Sequence, residues 1–307
     1  MLIGVQSIHV SNMIMESKTI YNKIKSGELD IDRLLNPGKQ LHDVDIDELP
    51  ISIIPSGFSI LDREYMLLKE GEGELIIVGG RPSMGKSAFM FQIALQVSKS
   101  HPVHVFSLEM SQASIVRRLL SAIVHRPITA IQMGLVDHKT LAIAKEQLKA
   151  YNYIIDDQSG LSADEIIDRA YNRARTHKTK LLVIDYLQII RKDKGHSTHA
   201  EYGEITAKLK TLAKELKCPV IVGSQLNRQC EMREDKRPIM SDLKESGSIE
   251  QDADIVLAVH REFRYTRLRA DEADILVLKN RNGATGDTIF KFYGAQARFE
   301  DTGGQDI

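Results

Sequence analysis

Residues 80–87 read Gly80-Arg81-Pro82-Ser83-Met84-Gly85-Lys86-Ser87. A glycine, four variable residues, a second glycine, then lysine and serine match the G-x-x-x-x-G-K-[ST] phosphate loop at every fixed position. Glycines let the backbone curl until successive N–H groups point inward as an anion nest. At this spacing Lys86 reaches β- and γ-phosphates, and the Ser87 hydroxyl ligates Mg²⁺. The competing reading is an ordinary loop. The apolar run at 74–78 and the helical pattern from Ser87 favour phosphate, because an opening helix adds the positive end of its dipole.

Hydrolysis needs more than a phosphate cradle. Asp185 ends the apolar run 181–185, a position suited to holding a Mg²⁺ shell. Glu109 sits at the tip of "VHVFSLEMS" and is a candidate base or orienting group for water. Its alternative is an acid at the start of a helix over 111–125, interacting with the helix dipole. Gln225 closes "VIVGSQ" and is a candidate γ-phosphate sensor; the alternative is a strand-end amide satisfied by loop backbone. Lys279 and Arg281 lie two apart at a strand end before Asn282-Gly283, so they share one side of the strand. An exposed cationic pair there also serves as a solvated edge that blocks aggregation.

The elements that must position these residues alternate. Apolar runs at 75–79, 103–107, 153–156, 181–185 and 220–224 read as strands buried on both faces of a parallel sheet. Helical patterns at 87–99, 111–125, 137–150, 162–176 and 200–217 separate them, which predicts a doubly wound α/β sheet. After residue 250 the helices stop, and "DIVLAVH", "DILVLKN" and "DTIFKFYG" read as a strand meander closing one edge. Before this domain, residues 1–50 form an arm and linker. Ser11 caps a helix over about 11–25 whose apolar face is Ile14, Tyr21 and Ile24, Gly27 ends it, and a proline-bounded polar stretch follows. The division is 1–50 and 51–307.

Hydrophobic residues make up 42% of the 307, enough to fill a sizeable core. The net charge of −1 excludes a surface that is basic throughout, so any nucleic-acid site is local or assembled from several copies. Two cysteines, Cys218 and Cys230, are too few for a disulfide framework or a four-thiolate zinc site. With no basic n-region and no apolar run of ~18 residues, the expected location is the cytoplasm, away from membranes. Residues 227–251 form a long, charged, glycine-containing stretch with no clear core face. His196 and His199, in a second loop at 191–203, lack the carboxylate or thiolate neighbours of a metal site and read as solvated loop histidines.

"GGRPSMGKS", "FSLEMS", "VIDYLQII", "GSQLNR", "DKRPIMSDLKESGSIEQDADIV" and "LKNRNGATG" occur in one order. In that order they resemble the RecA-like motor domain of DnaB-type replicative helicases, over roughly residues 52–300. The resemblance implies a RecA-like P-loop ATPase fold, with a mostly parallel twisted sheet flanked by helices. It also implies a homo-hexameric ring that hydrolyses ATP or another nucleoside triphosphate with Mg²⁺ between subunits, moving 5′ to 3′ on single-stranded DNA. By motif, Lys86 and Ser87 bind phosphate and metal, Asp185 holds the metal shell, Glu109 activates water and Gln225 couples nucleotide to DNA. Lys279 and Arg281 act in the neighbour's site. Lys244, Glu245 and Gly247 line the channel; Lys244 stands where many relatives have arginine, which keeps the charge but loses the bidentate fork.

The family usually carries a larger helical collar that meets primase. Only residues 1–50 precede the motor here, as expected of a minimal helicase or of a fragment, so primase and loader contacts are not carried over. Two other classes share the fold. A RecA-type recombinase or repair ATPase would form filaments, visible by electron microscopy. A non-motor switch ATPase would hydrolyse nucleotide without stimulation by single-stranded DNA.

Overall fold

A computed structural model of the chain describes residues 51–192, 198–243 and 246–301. The helix expected at 11–25 and its linker lie outside the described residues. The five expected strands are β1 (Leu75–Gly80), β2 (Val103–Ser107), β3 (Tyr153–Asp156), β4 (Leu181–Asp185) and β5 (Val220–Gln225). The meander consists of β6 (Ile255–His260), β7 (Glu272–Asn280), β8 (Gly286–Tyr293) and a further strand, β9 (Arg298–Asp301). All nine join one sheet in the order β3-β2-β4-β5-β1-β6-β7-β8-β9. Pairings from β3 through β6 are parallel, and those among β6, β7, β8 and β9 are antiparallel.

Side chains of the central strands alternate between two cores, as the period of two requires. From β1, Ile76 and Val78 pack on one face with Phe89 and Ile93 of α2 (Lys86–Val97) and Ile115 of α3 (Gln112–Val124). Leu75 and Ile77 pack on the other, with Ile166 of α6 (Ala163–His177) and Leu209 and Leu212 of α7 (Thr198–Leu216). Between them in sequence come α4 (Ile128–Gln132) and α5 (His138–Lys149), and α1 (Ser59–Tyr65) precedes β1. Polar side chains start several helices. Ser162 and Glu165 form a reciprocal capping box on α6, and Asp137 accepts the Thr140 N–H at 2.8 Å to open α5. No helix among the described residues is long and apolar enough to cross a membrane.

Three expectations change. The strand at 153–156 is half-buried, because it is the sheet's edge and covers only β2. The connection between β7 and β8 spans 281–285 rather than a two-residue Asn-Gly turn. The stretch 227–251 has core anchors after all. Leu226 bridges Leu243, 3₁₀ turns form at Arg228–Met232 and Met240–Asp242, α8 spans Ser246–Asp252, and Cys230, Leu243 and Ile249 are buried. A one-turn helix, α9 (Phe263–Thr266), interrupts the meander.

Because β1, β2, β4, β5 and β6 run in parallel, their C-terminal ends reach one edge of the sheet, where such folds bind ligands. Gly80 pairs with Gln225 and with Val259, and Ser107 with Asp185. β7 runs the other way, so Asn280 lies opposite Ile255 at the start of β6. Lys279 and Arg281 are therefore at the far end of the sheet from the phosphate loop of their own chain.

Candidate nucleoside triphosphate site

The phosphate loop runs from the end of β1 into α2, which opens at Lys86. Gly85 is the N-cap, with φ 106°, and no side chain caps the helix. The first-turn N–H groups are thus left for an anion. Only glycine fits at 85. Its φ is positive, and an added Cβ would lie 2.9 Å from the Phe299 ring and 3.2 Å from Phe292.

Above the loop lies a cavity of about 680 Å³. Gly80, Arg81, Pro82, Ser83, Gly85, Lys86 and Ser87 line it, together with Glu109, Tyr186 and Gln225. Met84 does not: its side chain is buried in the core beneath, so of the eight motif residues it contributes backbone alone.

Lys86 Nζ sits 3.3 Å from Asp185 Oδ1 and 4.2 Å from the Tyr186 ring centroid. Burial pushes the Lys86 ammonium down; Asp185, and more weakly Glu109, hold it up. Gly223 on β5 makes room for this pair, since a Cβ there would lie 2.9 Å from Lys86 Nζ and 3.0 Å from Asp185 Oδ1. Asp185 is fully buried, and neither carboxylate oxygen accepts a well-formed hydrogen bond. Such an orphaned carboxylate beside a phosphate loop fits a Mg²⁺ shell. Among the described residues no three His, Cys, Asp or Glu side chains gather around an ion. A Mg²⁺ here would draw on Asp185, the Ser87 hydroxyl, water and phosphate oxygens.

Glu109 is exposed and follows the end of β2 by two residues. The Ser107 hydroxyl fixes that turn by donating to the Met110 carbonyl at 2.7 Å and accepting its N–H at 3.3 Å. Ser111, not Glu109, caps α3, accepting the Ser114 N–H. Gln225 donates its backbone N–H to Gln188 Oε1 at 3.0 Å, and Gln188 Nε2 donates to Ser224 Oγ at 3.0 Å. The Gln225 side chain faces the cavity instead of closing on loop backbone.

Lys279 differs from an exposed edge cation. Its ammonium donates to the carbonyls of Glu250 at 2.5 Å and Ala253 at 2.6 Å, at the C-terminal end of α8. Burial, then the nearby Arg281, pushes its pKa down. Arg281 is freer: its side chain is 58% exposed and its guanidinium lies 3.4 Å from Asp254 Oδ1. Lys244 and Glu245 lie outside the described residues, as does His196; Gly247 is exposed in the first turn of α8.

The fold also brings in residues that sequence reasoning missed. Arg118 of α3, and Arg261, Arg264 and Phe292 from the meander, complete the cavity wall. Arg261 stacks over Phe292 at 4.4 Å, and its Nε is buried without a partner. The parallel pairing of β6 with β1 was the available signal, since it carries Arg261 to the edge that holds Gly80.

Comparison with known proteins gives a consistent picture. The DnaB-like helicase C-terminal domain family matches residues 53–301. The replicative DNA helicase DnaB of Leifsonia xyli subsp. xyli is 41% identical over 258 residues, covering 81% of this chain and 56% of the relative. That of Haemophilus influenzae is 37% identical over 259 residues, 81% of this chain and 55% of the relative. The chain thus spans little more than half the length of these curated relatives. Among solved structures, an isolated ATPase domain superposes with a TM-score of 0.76 at 29% identity, covering 94% of this chain and 98% of that one. A DnaB-like replicative helicase, described with its interactions with primase, gives 0.78 at 29% identity, over 96% of this chain and 75% of that one.

Proposed function

Because the chain belongs to the DnaB-like helicase C-terminal domain family, we propose that residues 51–307 are the motor of a homo-hexameric DNA helicase and residues 1–50 its arm and linker. The motor binds ATP or another nucleoside triphosphate at the subunit interface, hydrolyses it, and moves 5′ to 3′ on single-stranded DNA in the cytoplasm, unwinding duplex. Lys86 and the open N-terminus of α2 bind the phosphates, and Ser87 and Asp185 hold Mg²⁺. Bound Mg²⁺ supplies charge neutralisation across the β- and γ-oxygens. Glu109 takes the proton of the attacking water, and Gln225 senses the γ-phosphate. Arg261 and Phe292 offer a flat, stacked wall suited to a nucleobase.

The observation that carries this reading is a separation. The phosphate loop, Asp185 and Glu109 meet at one edge of the sheet, while the Lys279–Arg281 motif lies at the other. A site that uses both must take the second from a neighbouring copy. Forked duplexes with only a 5′ or only a 3′ tail test the motor: ATP-dependent unwinding is expected on the 5′-tailed fork alone. Filaments in electron micrographs would point to a recombinase instead. Hydrolysis indifferent to single-stranded DNA would point to a switch.

Lys244, Glu245 and Gly247 contact DNA phosphates in the channel under this reading. Lys244→Ala should weaken single-stranded DNA binding for all sequences and lower the salt slope by about one charge for each phosphate no longer neutralised. Hydrolysis without DNA should not change. A salt slope equal to wild type would move the DNA path to 191–203.

A further inference from the structure

The Arg81 guanidinium reaches out of the phosphate loop to the segment that follows β5. Its Nε donates to Glu231 Oε1 at 2.9 Å, and its Nη1 donates to the Leu226 carbonyl at 2.9 Å. Glu231 belongs to the 3₁₀ turn Arg228–Met232. Its side chain is 39% exposed, against 10% for Arg81. Arg81 also lines the cavity beside Lys86 and Ser87. One guanidinium therefore stands between two anionic partners, the Glu231 carboxylate and the phosphate oxygens of a bound nucleotide. A partly exposed ion pair is weak, and a triphosphate offers Arg81 several charged acceptors in bidentate geometry.

Beyond Glu231 the segment is tied into one piece. Leu226 and Leu243 form an antiparallel bridge, and the Asn227 N–H donates to the Asp242 carbonyl at 2.7 Å. Arg233 grips the buried Asp242 carboxylate with two bonds of 2.6 Å, and the same carboxylate accepts the Ile239 N–H at 2.8 Å. The end of β1 touches this unit at Gly79, where a Cβ would come within 2.9 Å of Leu226 Cδ2 and 3.3 Å of Leu243 Cδ2. Movement of the turn at one end is thus passed along a fixed unit to Leu243, the residue before Lys244.

We propose that Glu231 competes with bound nucleotide for Arg81, so that nucleotide binding frees the Arg228–Met232 turn and transmits site occupancy to the segment that contacts DNA. The inference rests on the nucleotide and DNA assignments proposed above. Glu231 acts here as a positioning residue, since it reaches the phosphates only through Arg81.

The test uses the whole chain, a non-hydrolysable ATP analogue with Mg²⁺, and an oligo-dT strand. Hydrogen exchange over 226–243 and equilibrium binding are compared for wild type, Glu231→Gln and Glu234→Gln. Glu234 is an exposed acid of the same segment that is not among the partners of Arg81. In wild type, exchange at 228–232 should rise when the analogue binds. Glu231→Gln should show the raised exchange without nucleotide and bind the analogue about two- to five-fold more tightly, as expected for a weak ion pair removed. Its oligo-dT affinity should lose most of its dependence on nucleotide, and its hydrolysis without DNA should stay at the wild-type level. Glu234→Gln should match wild type throughout. Unaltered or lowered exchange in wild type at saturating analogue overturns the proposal. Equal effects of the two variants also overturn it, since loss of any nearby negative charge would then suffice. If the analogue does not bind wild type at all, the nucleotide reading fails and takes this inference with it. Normal binding with an unresponsive turn removes the latch alone.

Discussion

Rings made of Arg281→Ala subunits will bind nucleotide as wild type does and hydrolyse it on the order of 10³-fold more slowly, the scale of a lost arginine finger. The substitution is clean because Asp254 does not depend on Arg281. That buried carboxylate already accepts the Leu75 N–H at 2.7 Å and pairs with Lys210. The Arg281 contact is longer and its side chain mostly solvated, so its removal should leave thermal stability nearly unchanged. Lys279→Ala would be ambiguous, since it strips two carbonyl partners from the end of α8 and mixes a structural loss with a catalytic one. Mixing Arg281→Ala with Lys86→Ala subunits decides whether the arginine acts across an interface. Neither variant works alone. In randomly mixed closed rings, about one interface in four pairs an intact phosphate loop with an intact arginine. Hydrolysis should return in that proportion. Rings shown by native mass to be mixed, yet inactive, would rule out action in trans.

The phosphate loop was legible in the sequence because its chemistry lies in consecutive residues, and the central strands because apolar runs buried on both faces stand out from their flanks. Asp185 and Glu109 stand out as polar residues at the ends of such runs. The same runs do not say how many neighbours a strand has, so the edge position of β3 was invisible. Arg118, Arg261, Arg264 and Phe292 come from separate elements that only the strand order brings to one wall. Motif spacing leaves open which variable residue turns inward, so it cannot separate Met84 from the phosphate contacts. Lys279 reads as free because α8 has no periodic apolar face to announce a helix end that needs donors. Cys230 and Leu243 anchor a segment whose irregular turns leave no period to read.

Glu109→Gln is expected to keep nucleotide and Mg²⁺ binding close to wild type while single-turnover hydrolysis falls by about 10²-fold or more, the contribution of a general base. The two roles open to Glu109 predict different losses. An acid that serves only the dipole of α3 contributes about 0.3–1 kcal/mol to stability, and its amide would lower the melting temperature slightly with little change in turnover. The geometry separates Glu109 from that task, since Ser111 already caps the helix. The turn that presents Glu109 is held by Ser107 and Met110, with the Leu108 N–H donating to the Asp185 carbonyl at 3.0 Å. None of these bonds uses the Glu109 carboxylate, so glutamine keeps the turn and removes only the proton acceptor. The wild-type rate should also fall toward acid pH as the carboxylate is protonated, and the variant should lack that limb. A variant that turns over within a few-fold of wild type, with its acid limb intact, would assign the base to another residue lining the cavity.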